Sequence, residues 1–199
     1  MNTVKPAYVR PLDLSKGHVD LGFGAGGRAM AQLISELFMR AFANDFLARG
    51  DDGAVLPAPA AGERLVMATD AHVVSPLSYP GGDIGSLSVH GTVNDLAVMG
   101  ARPLYLAASF ILEEGYALAE LARIVDSMAA AARAAGVVVV TGDTKVVEQG
   151  KGDGVFITTT GVGALPAGRD PGGARARPGD AVLLSGRIGD HGMAIMAQR

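Results

Sequence analysis

Between Leu104 and Val140 the sequence runs apolar strand, amphipathic helix, apolar strand, and that succession commits the chain to a sheet covered by helices. LYLAASFIL, Leu104 to Leu112, reads as a long strand closing at Glu113 and Glu114. From Ala117 to Ala135, Leu118, Leu121, Ile124, Val125 and Met128 fall on one helical face, and Gly136 ends the helix. VVVVTGDTK follows as a buried strand that delivers Thr141, Gly142, Asp143, Thr144 and Lys145 to its end. VVEQGKGDG is a polar turn, and VFITTTGVGAL a further strand. Upstream, RLVMATD reads as a buried strand over Leu65 to Ala68, with Thr69 and Asp70 at its C-terminal end, where open α/β sheets place ligand groups. VVSPLSYPGGDIG adds a second short strand and a glycine-rich approach to a helix. The expected fold class is α/β of the α+β type, a mixed sheet with helices on one face.

That next helix begins near Asp83 and stops at Gly100 and Pro103, with Leu87, Val93, Leu96, Ala97 and Met99 on its apolar side. Asn94 and Asp95 sit in its middle, although such residues prefer caps and turns. Taken alone the pair reads as a solvated face. Asp95, however, projects on the side of Gly91, one turn earlier, where the missing side chain leaves room for a ligand to reach the carboxylate. Asp83 has two readings: a cap matched to the helix dipole, or a functional carboxylate.

Leu21 to Arg28, LGFGAGGR, matches G-x-G-x-x-G at Gly22, Gly24 and Gly27 before a helix through Leu33, Ile34, Leu37, Phe38 and Phe42. A dinucleotide fingerprint needs a buried strand leading into the glycines, and LSKGHVD is none. A flexible turn, or a mobile loop whose amides close over phosphates, are the remaining readings. Residues 43–63 are turn-rich and hold Asp51 and Asp52 between Gly50 and Gly53, a tripeptide that alone signals only a turn.

Within 199 residues there is no cysteine, which excludes disulfides, thiolate ligands and a cysteine nucleophile from this chain. A net charge of −3 argues against nucleic acid or an anionic membrane as partner. No apolar run has membrane-spanning length and the N-terminus is too polar for a signal peptide, so a cytoplasmic location is expected. The organisation expected is an N-terminal arm over 1–19, a main domain over 20–166, a Gly, Pro and Arg-rich linker over 167–178, and the start of a second domain over 179–199. That last part reads as strand Ala181 to Ser185 and a helix from about His191, too little to bury a core, so the polypeptide reads as the front part of a longer one.

Asp51, Asp52, Asp70, Asp95 and Asp143 lie in a turn, at two strand ends and within a helix, and the strand ends can converge on one edge. Two such carboxylates about 4 Å apart repel by roughly 1 kcal/mol in water and about 4 kcal/mol at an effective dielectric near 20, so a cluster requires cations. All-oxygen donors favour Mg²⁺ held together with phosphates. His18, His72, His90 and His191 show no ligand spacing and read as ordinary, and there is no P-loop.

GDD at 50–52, TD at 69–70, NDLAVMGARP at 94–103 and GDTK at 142–145 resemble the ATP-binding half of the aminoimidazole ribonucleotide synthetase-like superfamily. GFGAGGR, SYPGGDIG, HGTVNDLAVMGARPLYL, FILEEG, TGDTKVVEQGKGD and SGRIGDHGMAIM resemble, in order and spacing, the carbamoyl dehydratase family of nickel-iron hydrogenase maturation factors. The resemblance covers nearly the whole chain. It implies a homodimer whose N-terminal domains, for ATP binding and dimerisation, build a shared sheet or barrel. It implies ATP and Mg²⁺, and dehydration of a protein S-carbamoyl group to S-cyanide for the hydrogenase iron. Its implied partners are a carbamoyltransferase of the HypF type and an iron scaffold of the HypC–HypD type. By motif, Asp51, Asp52, Asp70, Asp95 and Asp143 would hold Mg²⁺. Gly24, Gly26, Gly27, Asn94 and Thr144 would contact the nucleotide, and Lys145 and Asp83 would be catalytic. The chain departs from the family in lacking the acceptor cysteine, so alone it is expected not to complete the reaction. The alternatives are a thiamine-monophosphate kinase-like enzyme, which shares the acidic motifs but is not expected to carry GDTKVVEQGKGDG, and a nucleotide-binding dimerisation module without turnover. A selenophosphate synthetase would need a reactive Cys or selenocysteine near the glycine loop.

Overall fold

A computed structural model describes residues 11–198; the first ten residues of the expected arm lie outside the described residues. A 3₁₀ turn, Leu21–Phe23, precedes helix α1 (Gly27–Leu33), which continues through a π-helical turn, Ile34–Phe38, into α2 (Met39–Ala41). Strand β1 (Arg64–His72) and the small hairpin β2 (Ser78–Tyr79) and β3 (Gly82–Asp83) follow, then α3 (Ile84–Val98), β4 (Arg102–Glu113), α4 (Leu118–Ala135), β5 (Val138–Val147), β6 (Val155–Leu165) and α5 (Asp190–Gln198). The main sheet has the order β1-β6-β4-β5, parallel between β4 and β5 and antiparallel elsewhere. It is the expected mixed sheet.

One face of the sheet carries the helices. Leu106, Phe110 and Leu112 of β4 and Val155 and Ile157 of β6 meet Leu121, Val125 and Met128 of α4 in a core closed to water, each large side chain contributing about 1.5–3 kcal/mol. Helix α4 carries an alanine-rich, strongly one-sided sequence and ends at Gly136, whose φ of 68° suits a residue without a Cβ. Helices α3 and α4 cross closely at Gly85, where a Cβ would run into the Ile124 carbonyl. Asp83 caps α3: its carboxylate accepts from the Ser86 amide at 2.8 Å while the Ser86 hydroxyl receives the Asp83 amide at 3.1 Å.

Three expectations change. The expected buried strand around Leu65 to Ala68 is an edge strand covered on one face only: Leu65 and Met67 are 61% and 73% exposed, while Val66, Ala68, Asp70 and His72 turn inward. Its two faces are both apolar over RLVMA, so alternation is invisible in the letters. Strand β5 runs on to Val147, which puts Asp143 and Lys145 in mid-strand rather than at the strand's end. Residues 181–185 form no strand, although the helix expected near His191 is present as α5. Helix α5 touches the main body through the Tyr79 and His191 rings, 5.0 Å apart, and through Ile195.

Candidate functional site

Helix α1, the π turn and the residues just after them arch over the β5 edge and enclose a cavity of about 510 Å³. Met30, Ile34, Phe38, Met39, Phe42 and Leu47 form an apolar wall, with Ala108, Phe110 and Val139 as the sheet-side floor. Gly50, Asp51, Asp52, Thr141, Gly142, Asp143 and Thr144 form the polar end. The geometry follows from local sequence. Ile34 and Phe38, the first and last residues of the π turn, both line the cavity, and Gly142 lies so close to the Ala108 carbonyl that no side chain fits. A cavity of this size, apolar on one side and carboxylate-lined on the other, suits a planar ring joined to a cation-carrying polyanion.

Asp143 is held by Lys145, whose Nζ donates to Oδ1 at 2.7 Å and to Oδ2 at 2.8 Å, and by the Thr144 amide at 2.8 Å. The lysine hydrogen bond is the main reason its carboxyl lies below the usual range; slight burial opposes, and the Thr144 amide and the lysine charge reinforce it. Thr144 itself is buried. Gly24 packs onto the Val146 backbone, while Gly26 and Gly27, at φ of 79° and 75°, have open space around them. The loop is therefore anchored at one end and unobstructed at the other.

The remaining carboxylates are elsewhere. Asp70, on β1, faces α3, where Asp95 lies one turn beyond Gly91. The expected vacancy over Gly91 is filled: a Cβ there would stand 2.7 Å from His72 Cε1 and 3.0 Å from Asp70 Oδ2. His72 Nε2 lies 3.7 Å from Asp70 Oδ2. Burial lowers the His72 pKa against the opposing charges of Asp70 and Asp95. Asn94 is exposed on α3. Asp83 is taken up by the cap and by Ser127, whose hydroxyl donates to Oδ1 at 2.9 Å, which is its capping alternative.

The expected convergence on one sheet edge does not occur within a single chain. Register runs Asp70, Thr159, Ala108, Gly142 across the sheet, so the Asp70–Asp95 pair and the Asp51, Asp52 and Asp143 group are three strand spacings apart, about 14 Å. Strand order, not strand direction, decides this. Among the described residues no three His, Cys, Asp or Glu side chains form a metal cage. Each group nevertheless presents carboxylate oxygens of the kind Mg²⁺ takes in ones and twos, completing its shell with phosphate and water. Sequence reading missed the apolar wall and His72; strand parity, placing residues 70 and 72 on one face, was the available signal for the histidine.

Residues 50–165 match the family described as AIR synthase related protein, N-terminal domain. The carbamoyl dehydratase HypE of Cupriavidus necator is 70% identical over 197 residues, which are 99% of this chain and 56% of that protein. A crystal structure of a HypE in complex with ATP superposes with a TM-score of 0.86 at 53% identity, over 89% of this chain and 52% of the other. A HypE–HypF complex superposes with a TM-score of 0.67 at 51% identity, over 83% and 53% of the two chains. The chain spans about half the length of the curated relatives it matches.

Proposed function

From the premise that the chain belongs to the AIR synthase related proteins, in their HypE branch, we propose that it forms the Mg-ATP-binding part of a hydrogenase maturation factor. The activity is that of a carbamoyl dehydratase, converting a protein S-carbamoyl group to S-cyanide for the iron of nickel-iron hydrogenase. The observation that carries this reading is one cavity with an apolar wall at Ile34 and Phe38 and a carboxylate end at Asp51, Asp52 and Asp143. The wall takes the base and the acidic end takes the metal-bound phosphates. A HypE with ATP bound shares the fold at 53% identity.

The chemistry is dehydration by activation. The carbamoyl oxygen takes the γ-phosphoryl group as its bond to ADP breaks; nitrogen then gives up two protons, the C–O bond breaks with its electrons leaving on phosphate, and a nitrile remains. Mg²⁺ supplies neutralisation of phosphate charge. Asp51, Asp52 and Asp143 would hold it, Thr144 and the amides of Gly26 and Gly27 would fix the nucleotide, and Gly24 anchors that loop to β5. Lys145 exchanges Asp143 for the transferring phosphoryl group. Asn94 supports Asp95 and Asp70 at the other edge. Asp83 we assign to the helix cap. No cysteine is present among the 199 residues, so the thiol that carries the carbamoyl group comes from outside them.

A homodimer supplies what one chain separates. The exposed face of the sheet, with Leu65, Met67 and Ile111 open to solvent, supports pairing with a second copy, and pairing sets the β1 edge of one copy beside the β5 edge of the other. Asp70 and Asp95 then complete the partner's acidic site. A carbamoyltransferase of the HypF type, supported by a solved HypE–HypF pair, and an iron scaffold of the HypC–HypD type are the proposed partners. No helix among the described residues is long and apolar enough to cross a membrane, and we place the protein in the cytoplasm. A thiamine-monophosphate kinase-like role has less support, since the likeness to a carbamoyl dehydratase runs over 99% of the chain.

Calorimetric titration tests the site. Mg-ATP at a hundred times its Kd raises stability by about 2.7 kcal/mol, a melting shift of roughly 5 to 10 °C. Asp143→Asn and Asp95→Asn should each weaken binding, and parental affinity in both would falsify the metal assignment.

A further inference from the structure

His72 stands out because it is a buried, hydrogen-bonding ring beside a half-exposed carboxylate, and nothing in the proposed reaction uses it. It is the last residue of β1 and points inward in register with Ile157. Its side chain is 5% exposed, that of Asp70 43%. The two lie side by side over Gly91, and only a glycine permits this: any larger residue would push Cε1 of the ring and Oδ2 of the carboxylate away from α3.

Counting protons fixes the ring's tautomer. The Thr159 hydroxyl is fully buried and donates to the Ser88 carbonyl at 2.8 Å, which uses its single proton. Its oxygen lies 2.6 Å from the Thr92 hydroxyl and 3.4 Å from His72 Nε2, so toward both of these it acts as acceptor. The His72 nitrogen facing Thr159 therefore carries the hydrogen. That same N–H faces Asp70 Oδ2, 3.7 Å away. The N–H thus faces both a hydroxyl bonded to α3 and, just beyond direct hydrogen-bond distance, a carboxylate free to turn into solvent. Among the described residues no side-chain hydrogen bond fixes the Asp70 carboxylate, so the ring N–H facing it is placed to bias where it points.

We infer that His72 is a positioning residue: seated over Gly91 and oriented by Thr159, its Nε2–H holds the Asp70 carboxylate toward Asp95, so that the pair meets a divalent cation already aimed. This rests on the reading of Asp70 and Asp95 as cation-holding groups. Outer-shell partners of this kind change metal affinity by about 10–100-fold when removed. They do so without touching the metal.

The test uses the full chain and reads the free Mg²⁺ concentration that half-saturates ATP binding, by calorimetry, alongside the melting temperature without nucleotide. His72→Phe keeps a ring and removes the donor; it should raise the Mg²⁺ requirement about tenfold. His72→Gln, which restores an N–H at similar reach, should recover most of the loss, a rescue that a purely space-filling role would not give. His72→Leu replaces the phenylalanine variant if that does not fold. In an Asp70→Asn background, His72→Phe should add nothing further, because the donor would act only through that carboxylate. An unchanged Mg²⁺ requirement in His72→Phe, a failure of His72→Gln to rescue, or additive losses in the double variant each overturn the inference. An Asp70→Asn chain with parental Mg²⁺ dependence sinks the site reading itself, and is thereby told apart from failure of the histidine alone.

Discussion

The Lys145 ammonium spans both oxygens of the Asp143 carboxylate, at 2.7 and 2.8 Å, in the middle of an edge strand. It occupies the direction from which a divalent cation would approach, so lysine and cation compete for one carboxylate. Lys145→Ala should leave Mg-ATP binding intact or tighter while turnover in the complete system falls; a variant that binds tenfold more weakly would remove Lys145 from the exchange described above.

The same contact predicts a titration. Because the Asp143 carboxyl is held low in the folded chain, chiefly by Lys145, its contribution to stability is present above the ordinary aspartate value near 3.9 and is lost as pH falls below it, through the lowered value. Lys145→Ala should move the Asp143 carboxyl carbon resonance toward an ordinary midpoint. No change in that midpoint would show that the lysine is mobile in solution.

Asp83 separates cap from catalyst. With its carboxylate bonded to the Ser86 amide and the Ser127 hydroxyl, Asp83→Ala should cost about 1–2 kcal/mol, lowering Tm by roughly 2 to 8 °C. Mg-ATP affinity should stay parental. Turnover lost without any loss of stability would return Asp83 to the catalytic group.

At the α3–α4 crossing, Gly85→Ala drives a methyl group into the Ile124 carbonyl, which is backbone and cannot rotate aside. Overpacking of this sort costs about 1–3 kcal/mol, and thermal unfolding should register a fall of roughly 3 to 10 °C. An unchanged melt would mean that the helices separate freely.

Met67→Glu addresses assembly, since Met67 is 73% exposed on the open face of an edge strand. The parent should be a dimer by light scattering at micromolar concentration and the variant a monomer. A monomeric parent would leave the paired-sheet proposal without support.

What the letters disclosed followed how one-sided each pattern was. Helix α4 was readable because Leu118, Leu121, Ile124, Val125 and Met128 repeat on a single face and Gly136 ends it. Helix α3, apolar with almost no preferred side, is marked chiefly by its ends, Asp83 and Gly100. Edge exposure of β1 was not readable, because Leu65 and Met67 are as apolar as Val66 and Ala68. Nor was the separation of the acidic groups: β6, last of the strands in sequence, inserts between β1 and β4 and pushes Asp70 away from Asp143. His72 was legible only as one polar letter near an aspartate; its meaning needed Gly91 and Thr159, distant in sequence and adjacent in space.

The placing of the two acidic groups on opposite margins of one sheet has a genetic consequence if two copies pair as proposed. An allele altered at Asp70 and another altered at Asp143 would each be null alone, since both sites of every like pair are broken. Expressed together, they form mixed pairs in which one site collects both lesions and the other collects none. Two silent genes would then restore maturation in the same cell, whereas two alleles altered on the same margin would not.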